Sequence, residues 1–159
     1  MEFILFQIGE TKEKTDKKTD ETTLALTRKG KKTVTISAIA MSRILPRKAK
    51  IQVWSSIAPE ASETAELIAE ELGVKRKFLK TIDSTDLSSV ISTAFENTSD
   101  QCIVIIGTNA NILEWTTSLI GCRLPFVPSA CASLAIDPEK QDQAELLWFF
   151  QPKPLKNIK

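Results

Sequence analysis

Three short apolar runs, each closing on a small or polar residue, set the pattern of the chain. Phe3 to Glu10 reads Phe-Ile-Leu-Phe-Gln-Ile-Gly-Glu, Ile51 to Ser56 reads Ile-Gln-Val-Trp-Ser-Ser, and Cys102 to Asn109 reads Cys-Ile-Val-Ile-Ile-Gly-Thr-Asn. Runs that stay apolar at consecutive positions suit strands covered on both faces. Between them the apolar positions recur at helical spacing. A helix is predicted from Thr27 with Val34, Ala38, Met41 and Leu45 on one face, ending before Pro46. Pro59 suits the first turn of a second helix bearing Ala61, Ala65, Ile68 and Leu72, with Gly73 as its stop. A third helix, capped by Ser84 or Thr85, carries Leu87, Val90, Ile91, Ala94 and Phe95. A fourth opens from the turn Gly107 to Asn111 and carries Ile112, Thr116, Leu119 and Ile120. Lys75 to Leu79 reads as a short strand, and Ala130 to Ile136 and Ala144 to Phe150 as two closing strands. Thr11 to Thr23 has no apolar residue and reads as a solvated loop or flap, and the chain from Gln151 as an extended tail over 151–159.

Strands alternating with helices, then two final strands, predict a three-layer α/β/α sandwich with a mostly parallel central sheet. Strands that end together and hand over to helices leave a crevice at their carboxyl ends, where such folds bind ligands. The length of 159 residues fits a single domain, 1–159.

Composition narrows the classes of function. The chain is 42% hydrophobic and 26% charged with a net charge of +1, an ordinary soluble balance that gives no reason to expect nucleic acid as a partner. No apolar run approaches the roughly 20 residues that span a bilayer, so no membrane partner is expected. Met1-Glu2 leads straight into a strand, without the basic region or cleavage site of a signal peptide. Three widely spaced cysteines fit the reducing cytoplasm better than a disulfide framework. The chain contains no histidine, which excludes any mechanism that needs an imidazole nucleophile, base or metal ligand.

Other chemistry is absent or has a structural reading. Cys102, Cys122 and Cys131 have no Cys-x-x-Cys spacing, so no metal site is expected, and Cys102 and Cys131 read as core. Ser55 and Ser56 lack an imidazole base. Trp54, Trp115 and Trp148 read as core or crevice wall rather than a stacking platform. The basic cluster Arg28, Lys29, Lys31 and Lys32 reads as a solvated face. No glycine-rich nucleotide loop is present, and no cofactor is expected.

Four segments in order carry a family resemblance: Gln7-Ile8-Gly9-Glu10, Leu26-Thr27-Arg28-Lys29-Gly30, Ser56-Ile57-Ala58-Pro59-Glu60-Ala61-Ser62-Glu63-Thr64-Ala65, and Gly107-Thr108-Asn109-Ala110. They resemble, along nearly the whole chain, the SixA-type phosphohistidine phosphatases, a branch of the histidine phosphatase superfamily that includes the phosphoglycerate mutases. The corresponding family patterns are Arg-His-Gly plus an acid, Leu-Thr-x-x-Gly, Ser-Pro-x-x-Arg-Ala-x-Gln-Thr-Ala and Gly-His-Asn-Pro. The resemblance implies a histidine phosphatase-like fold. It also implies that the working positions have changed. The nucleophilic histidine is Ile8, the arginine before it is Gln7, the second arginine is Glu60 and the second histidine is Thr108. Gly9, Ser56, Ala61, Thr64, Ala65, Gly107 and Asn109 still match.

Two unit charges about 4 Å apart interact by roughly 4 kcal/mol at an effective dielectric near 20, so arginine to Glu60 turns attraction for phosphate into repulsion of that order. Phosphoryl transfer rests on positioning and positive charge around the equatorial oxygens, and these residues supply neither. The expectation is a catalytically inactive relative, a pseudo-phosphatase acting as a regulatory or adaptor protein, with a protein partner. A second reading is a module that binds a small anion or phosphorylated ligand without turnover, through Gly9, Glu10, Ser56, Thr108 and Asn109. A third is a phosphatase of altered mechanism with Glu10 or Glu60 as acid or base.

Overall fold

The computed structural model describes residues 1–46, 49–74, 76–78, 86–97 and 102–155. In chain order these form β1 (Glu2–Gln7), β2 (Thr11–Thr15), β3 (Thr22–Leu26), α1 (Arg28–Ile44), β4 (Ile51–Ser55), α2 (Pro59–Leu72) and β5 (Arg76–Phe78). There follow α3 (Leu87–Asn97), β6 (Cys102–Gly107), α4 (Asn109–Ile120), β7 (Cys131–Asp137), β8 (Lys140–Phe150) and α5 (Pro152–Leu155). Six strands make one sheet in the order β5-β4-β6-β1-β7-β8. The pairs β4–β5, β4–β6 and β1–β6 are parallel, and β7 and β8 are added antiparallel. This is a mixed α/β, mostly parallel architecture of the expected class.

The apolar runs explain the layers. Along β1, Phe3 and Leu5 face one core while Ile4 and Phe6 face the other, as the two-residue period of a strand requires. In β6, Ile103 and Ile105 join the first core, and Cys102, Val104 and Ile106 join the second. The first core is closed by Val90, Ile91 and Ala94 of α3 and by Ile112, Trp115 and Leu119 of α4. The second is closed by Val34, Ala38 and Met41 of α1 and Ala61, Ala65 and Ile68 of α2. Each large aliphatic or aromatic side chain buried this way is worth about 1.5–3 kcal/mol. Cys102 and Cys131 are buried here as free thiols, and burial pushes Cys102 up to about 12 and Cys131 well above its ordinary value. Trp54 and Trp115 are core, while Trp148 is partly buried and stacks on Phe150.

Helix ends follow their local signals. Thr27 caps α1 by accepting from the Gly30 amide at 2.8 Å, and Leu45 closes it before Pro46. Pro59 opens α2, and Gly73 ends it in the left-handed conformation, φ 67°. The caps expected for α3 at Ser84 or Thr85 lie outside the described residues. Within them, the Asp86 carboxylate accepts from the Ser89 amide and from the Ser88 and Ser89 hydroxyls, which hold it below the usual carboxylate range.

Three expectations change. Thr11 to Thr23 is not a loop: β2 and β3 pair as an antiparallel hairpin. Its threonines favour extended backbone, and Asp16 closes the turn by accepting from the Lys18 amide. The hairpin escaped notice because its exposed strands carry no apolar alternation. β8 begins at Lys140, not Ala144, because the Asp137 carboxylate accepts from the Glu139 amide and tightens the β7–β8 turn. The tail is not wholly extended: Pro152, buried, starts the single turn α5, which packs on α1. Residues 156–159 and Lys75 and Leu79, at the margins of the expected short strand, lie outside the described residues.

Candidate functional site

The carboxyl ends of β1 and β6 lie side by side, with Gln7 opposite Gly107 and the Ile8 amide donating to the Gly107 carbonyl at 3.0 Å. Beside them an open groove of about 230 Å³ is lined by Gln7, Ile8, Gly9, Thr11, Leu24, Glu60, Thr108, Asn109 and Pro128. The four positions at which the chain departs from the resembled motifs, Gln7, Ile8, Glu60 and Thr108, therefore meet in one place. They come from the end of β1, the loop after it, the first turn of α2 and the cap of α4. Of the residues put forward as ligand contacts, Gly9, Thr108 and Asn109 line the groove, while Glu10 and Ser56 do not. The Glu10 carboxylate instead accepts from the Thr27 hydroxyl at 3.0 Å and pairs with Lys29 at 3.8 Å. Ser56 is buried, and its hydroxyl accepts from the Ala58 amide within the β4–α2 turn.

The groove floor is held by a tight frame. Gly9 has no room for a side chain: a Cβ there would stand 2.6 Å from Val34 Cγ2. Its amide donates to Thr64 Oγ1 at 3.4 Å, and that hydroxyl donates to the Glu60 carbonyl at 2.8 Å. Thr64 thus ties the loop after β1 to the turn that presents Glu60. Gly30 lets α1 approach the same loop, since a Cβ there would lie 2.3 Å from the Glu10 carbonyl oxygen. Pro128, in the opposite wall, precedes Ser129, a buried serine at φ 69°. That left-handed backbone is held by Ser37 Oγ donating to the Ser129 carbonyl at 2.7 Å, by a Thr33–Ser129 hydroxyl pair at 3.1 Å and by the Ser129 amide donating to the Gln7 carbonyl.

The chemistry of the groove is neutral to acidic. Asn109 Nδ2 donates to Gln7 Oε1 at 2.9 Å, so the Gln7 amide is locked against the start of α4. The Thr108 hydroxyl accepts from the Asn111 amide at 3.2 Å, which occupies one of the free N–H groups at that helix end. Glu60 is the only ionisable residue among those lining the groove. Among the described residues its carboxylate takes part in no hydrogen bond or ion pair, although Glu63 one turn on pairs with Lys31 at 3.9 Å. No group of three or more metal-ligating side chains gathers among the described residues. Nor is any described helix long and apolar enough to cross a membrane. Thr11, Leu24 and Pro128 escaped sequence reading because each reaches the groove through tertiary placement. For Leu24 the one available signal was its position beside the Leu26-Thr27 motif.

No protein-family profile matches the chain, and no curated protein matches its sequence. Its fold is matched by solved structures. The protein histidine phosphatase SixA complexed with tungstate superposes with a TM-score of 0.78 at 21% identity, over 98% of this chain and 99% of its own. The candidate SixA phosphohistidine phosphatase of Agrobacterium tumefaciens gives a TM-score of 0.74 at 17% identity, over 95% and 97% of the two chains. A phosphoserine phosphatase of Entamoeba histolytica, in complex with 3-phosphoglyceric acid, gives 0.64 at 14% identity, over 93% and 95%. The architecture is that of the histidine phosphatase fold.

Proposed function

We propose that this protein is a non-catalytic relative of the phosphohistidine phosphatases that acts as a regulatory or adaptor protein. The observation that carries the reading is the groove itself. At the strand ends of a phosphatase fold, the lining holds Gln7, Ile8, Glu60 and Thr108, with neither a cation to clamp a phosphoryl group nor an imidazole to receive it. An arginine clamp contributes charge-assisted, bidentate bonds that Gln7 cannot replace. Glu60 adds repulsion where the transition state would need the opposite charge. A single domain in a reducing, cytoplasmic setting fits the helices packed on one sheet and the three free thiols.

The test is turnover. The purified protein is expected to leave phosphohistidine, aryl phosphates and phosphoserine peptides intact. Hydrolysis that persists through successive chromatographic steps and changes in Gln7→Ala or Glu60→Gln would overturn the proposal. Activity that ignores both substitutions belongs to a contaminant.

A further inference from the structure

We infer that the groove receives a cationic side chain, a lysine or arginine projecting from a partner protein. The inference rests on the adaptor reading above and gives the partner a chemistry. Half-buried Glu10 and Glu63 each have a cation on this protein, at 3.8 and 3.9 Å. Glu60 does not have one among the described residues, and it stands over a groove whose lining offers no positive charge. A half-buried carboxylate without a partner gains most from a donor that arrives from outside, since charge-assisted hydrogen bonds are about twice as strong as neutral ones.

The walls define the rest of the ligand. Ile8, Leu24 and Pro128 are apolar, and Leu24 is 40% exposed. Two more exposed apolar residues flank the lining in sequence, Ile57 three positions before Glu60 and Val127 beside Pro128, at 64% and 38% exposure. A long cationic side chain matches this pattern, with its methylene stem against apolar walls and its charged head on the carboxylate. The volume of about 230 Å³ is below the range of about 300–1,000 Å³ for drug-sized ligands, which suits one side chain rather than a large metabolite. An anionic membrane surface or a nucleic acid would bring the wrong sign to Glu60.

The probes are n-butylguanidinium, butyrate, inorganic phosphate and an arginine peptide flanked by leucines, each titrated into the full chain while backbone amide resonances are followed. The guanidinium and the peptide are expected to shift the Ile8, Gly9, Thr108 and Asn109 amides saturably, with the peptide binding more tightly. Butyrate and phosphate should leave those amides unmoved. Glu60→Gln should weaken both cations about tenfold or more, while Glu10→Gln, whose carboxylate lies outside the groove, should not. A thermal melt of each variant establishes that it is folded. Glu60→Asp, which keeps the charge on a shorter arm, should retain part of the affinity and provides a second reading at the same position. Cation binding that is absent, insensitive to Glu60, or equally sensitive to Glu10 overturns the inference, as does phosphate binding more tightly than guanidinium. A peptide no tighter than free guanidinium overturns the partner-protein assignment. The turnover assay separates the two proposals: no turnover with no cation binding defeats this inference alone, and Gln7-dependent turnover defeats the adaptor reading.

Discussion

The groove and the frame that surrounds it are built in opposite ways. In the frame, Gly9, Gly30, Thr64, Ser129, Thr33 and Ser37 are close-packed or hydrogen-bonded from several elements. On the floor and rim, Ile8 and Glu60 are half-buried and Thr108 exposed. Ile8 packs against the edge of the second core, while the Glu60 carboxylate takes part in no hydrogen bond or ion pair among the described residues. Frame residues therefore answer to packing from several elements, whereas Glu60 lines the groove with a carboxylate that has no partner among the described residues.

The largest expected effect is at Gly30. Alanine would gain about 1 kcal/mol of intrinsic helix propensity. The Cβ, however, would meet the Glu10 carbonyl at 2.3 Å, and backbone cannot step aside as a side chain can. A net loss of about 3 kcal/mol in Gly30→Ala is expected from overpacking. Gly9→Ala should cost less, because its closest contact is the Val34 side chain. Denaturant melts that find Gly30→Ala as stable as the parent would break the distinction between frame and floor.

The buried thiols set the next effect. Cys102 and Cys131 are pushed up by burial, with Glu2 adding to the shift at Cys102. Above pH 9 the unfolded chain releases protons from these thiols while the folded chain retains them, so stability falls as pH rises. The window for Cys102 runs from 9 to about 12. Each thiol should remove about 1.4 kcal/mol per pH unit there. Together they should cost about 2–3 kcal/mol by pH 10, and Cys131→Ala should reduce that slope by half. Chemical denaturation across this pH range measures it.

A smaller effect is expected at Ser37. Alanine would leave the buried Ser129 carbonyl without its side-chain donor and loosen the left-handed turn behind Pro128, at a cost of about 1–2 kcal/mol. Ser129→Gly should lie close to the parent, since glycine relieves the backbone strain while the hydroxyl pair to Thr33 is lost.

The sharpest test of the comparison is the exchange of the groove positions Gln7, Ile8, Glu60 and Thr108 together. Gln7→Arg, Ile8→His, Glu60→Arg and Thr108→His should still fold, with a lowered melting temperature, because Gln7 is buried and bonded to Asn109, Ile8 packs on the second core and Thr108 caps α4. The quadruple variant should bind tungstate or vanadate at least tenfold more tightly, as calorimetry would show. Partial sets should do little, because residues that act as one unit are strongly non-additive. A well-folded variant with no gain in anion affinity would show that the groove geometry is wrong for the oxyanion.

Local signals made much of this legible. The continuous apolar runs of β1 and β6 required cover on both faces, and Thr27, Pro59 and Gly73 marked helix ends through backbone chemistry confined to a few residues. The lack of histidine could be read directly from the sequence, and it is one ground of the proposal of a non-catalytic role. The hairpin β2–β3 was not legible, because an exposed two-stranded ribbon has no apolar period to read. Nor was the single turn α5, which depends on docking against α1.

For the site, the chain order of four motifs marked Gln7, Ile8, Glu60 and Thr108, but it could not bring them together. Only tertiary structure decided that they share one open groove, that Glu10 and Ser56 are engaged elsewhere, and that Thr11, Leu24 and Pro128 complete the walls. The physical reason is one of range. Caps, turns and strand periods are fixed by neighbours within a few residues. A groove is instead the space left between segments whose approach is set by contacts such as Gly30 against Glu10 and Ser37 against Ser129.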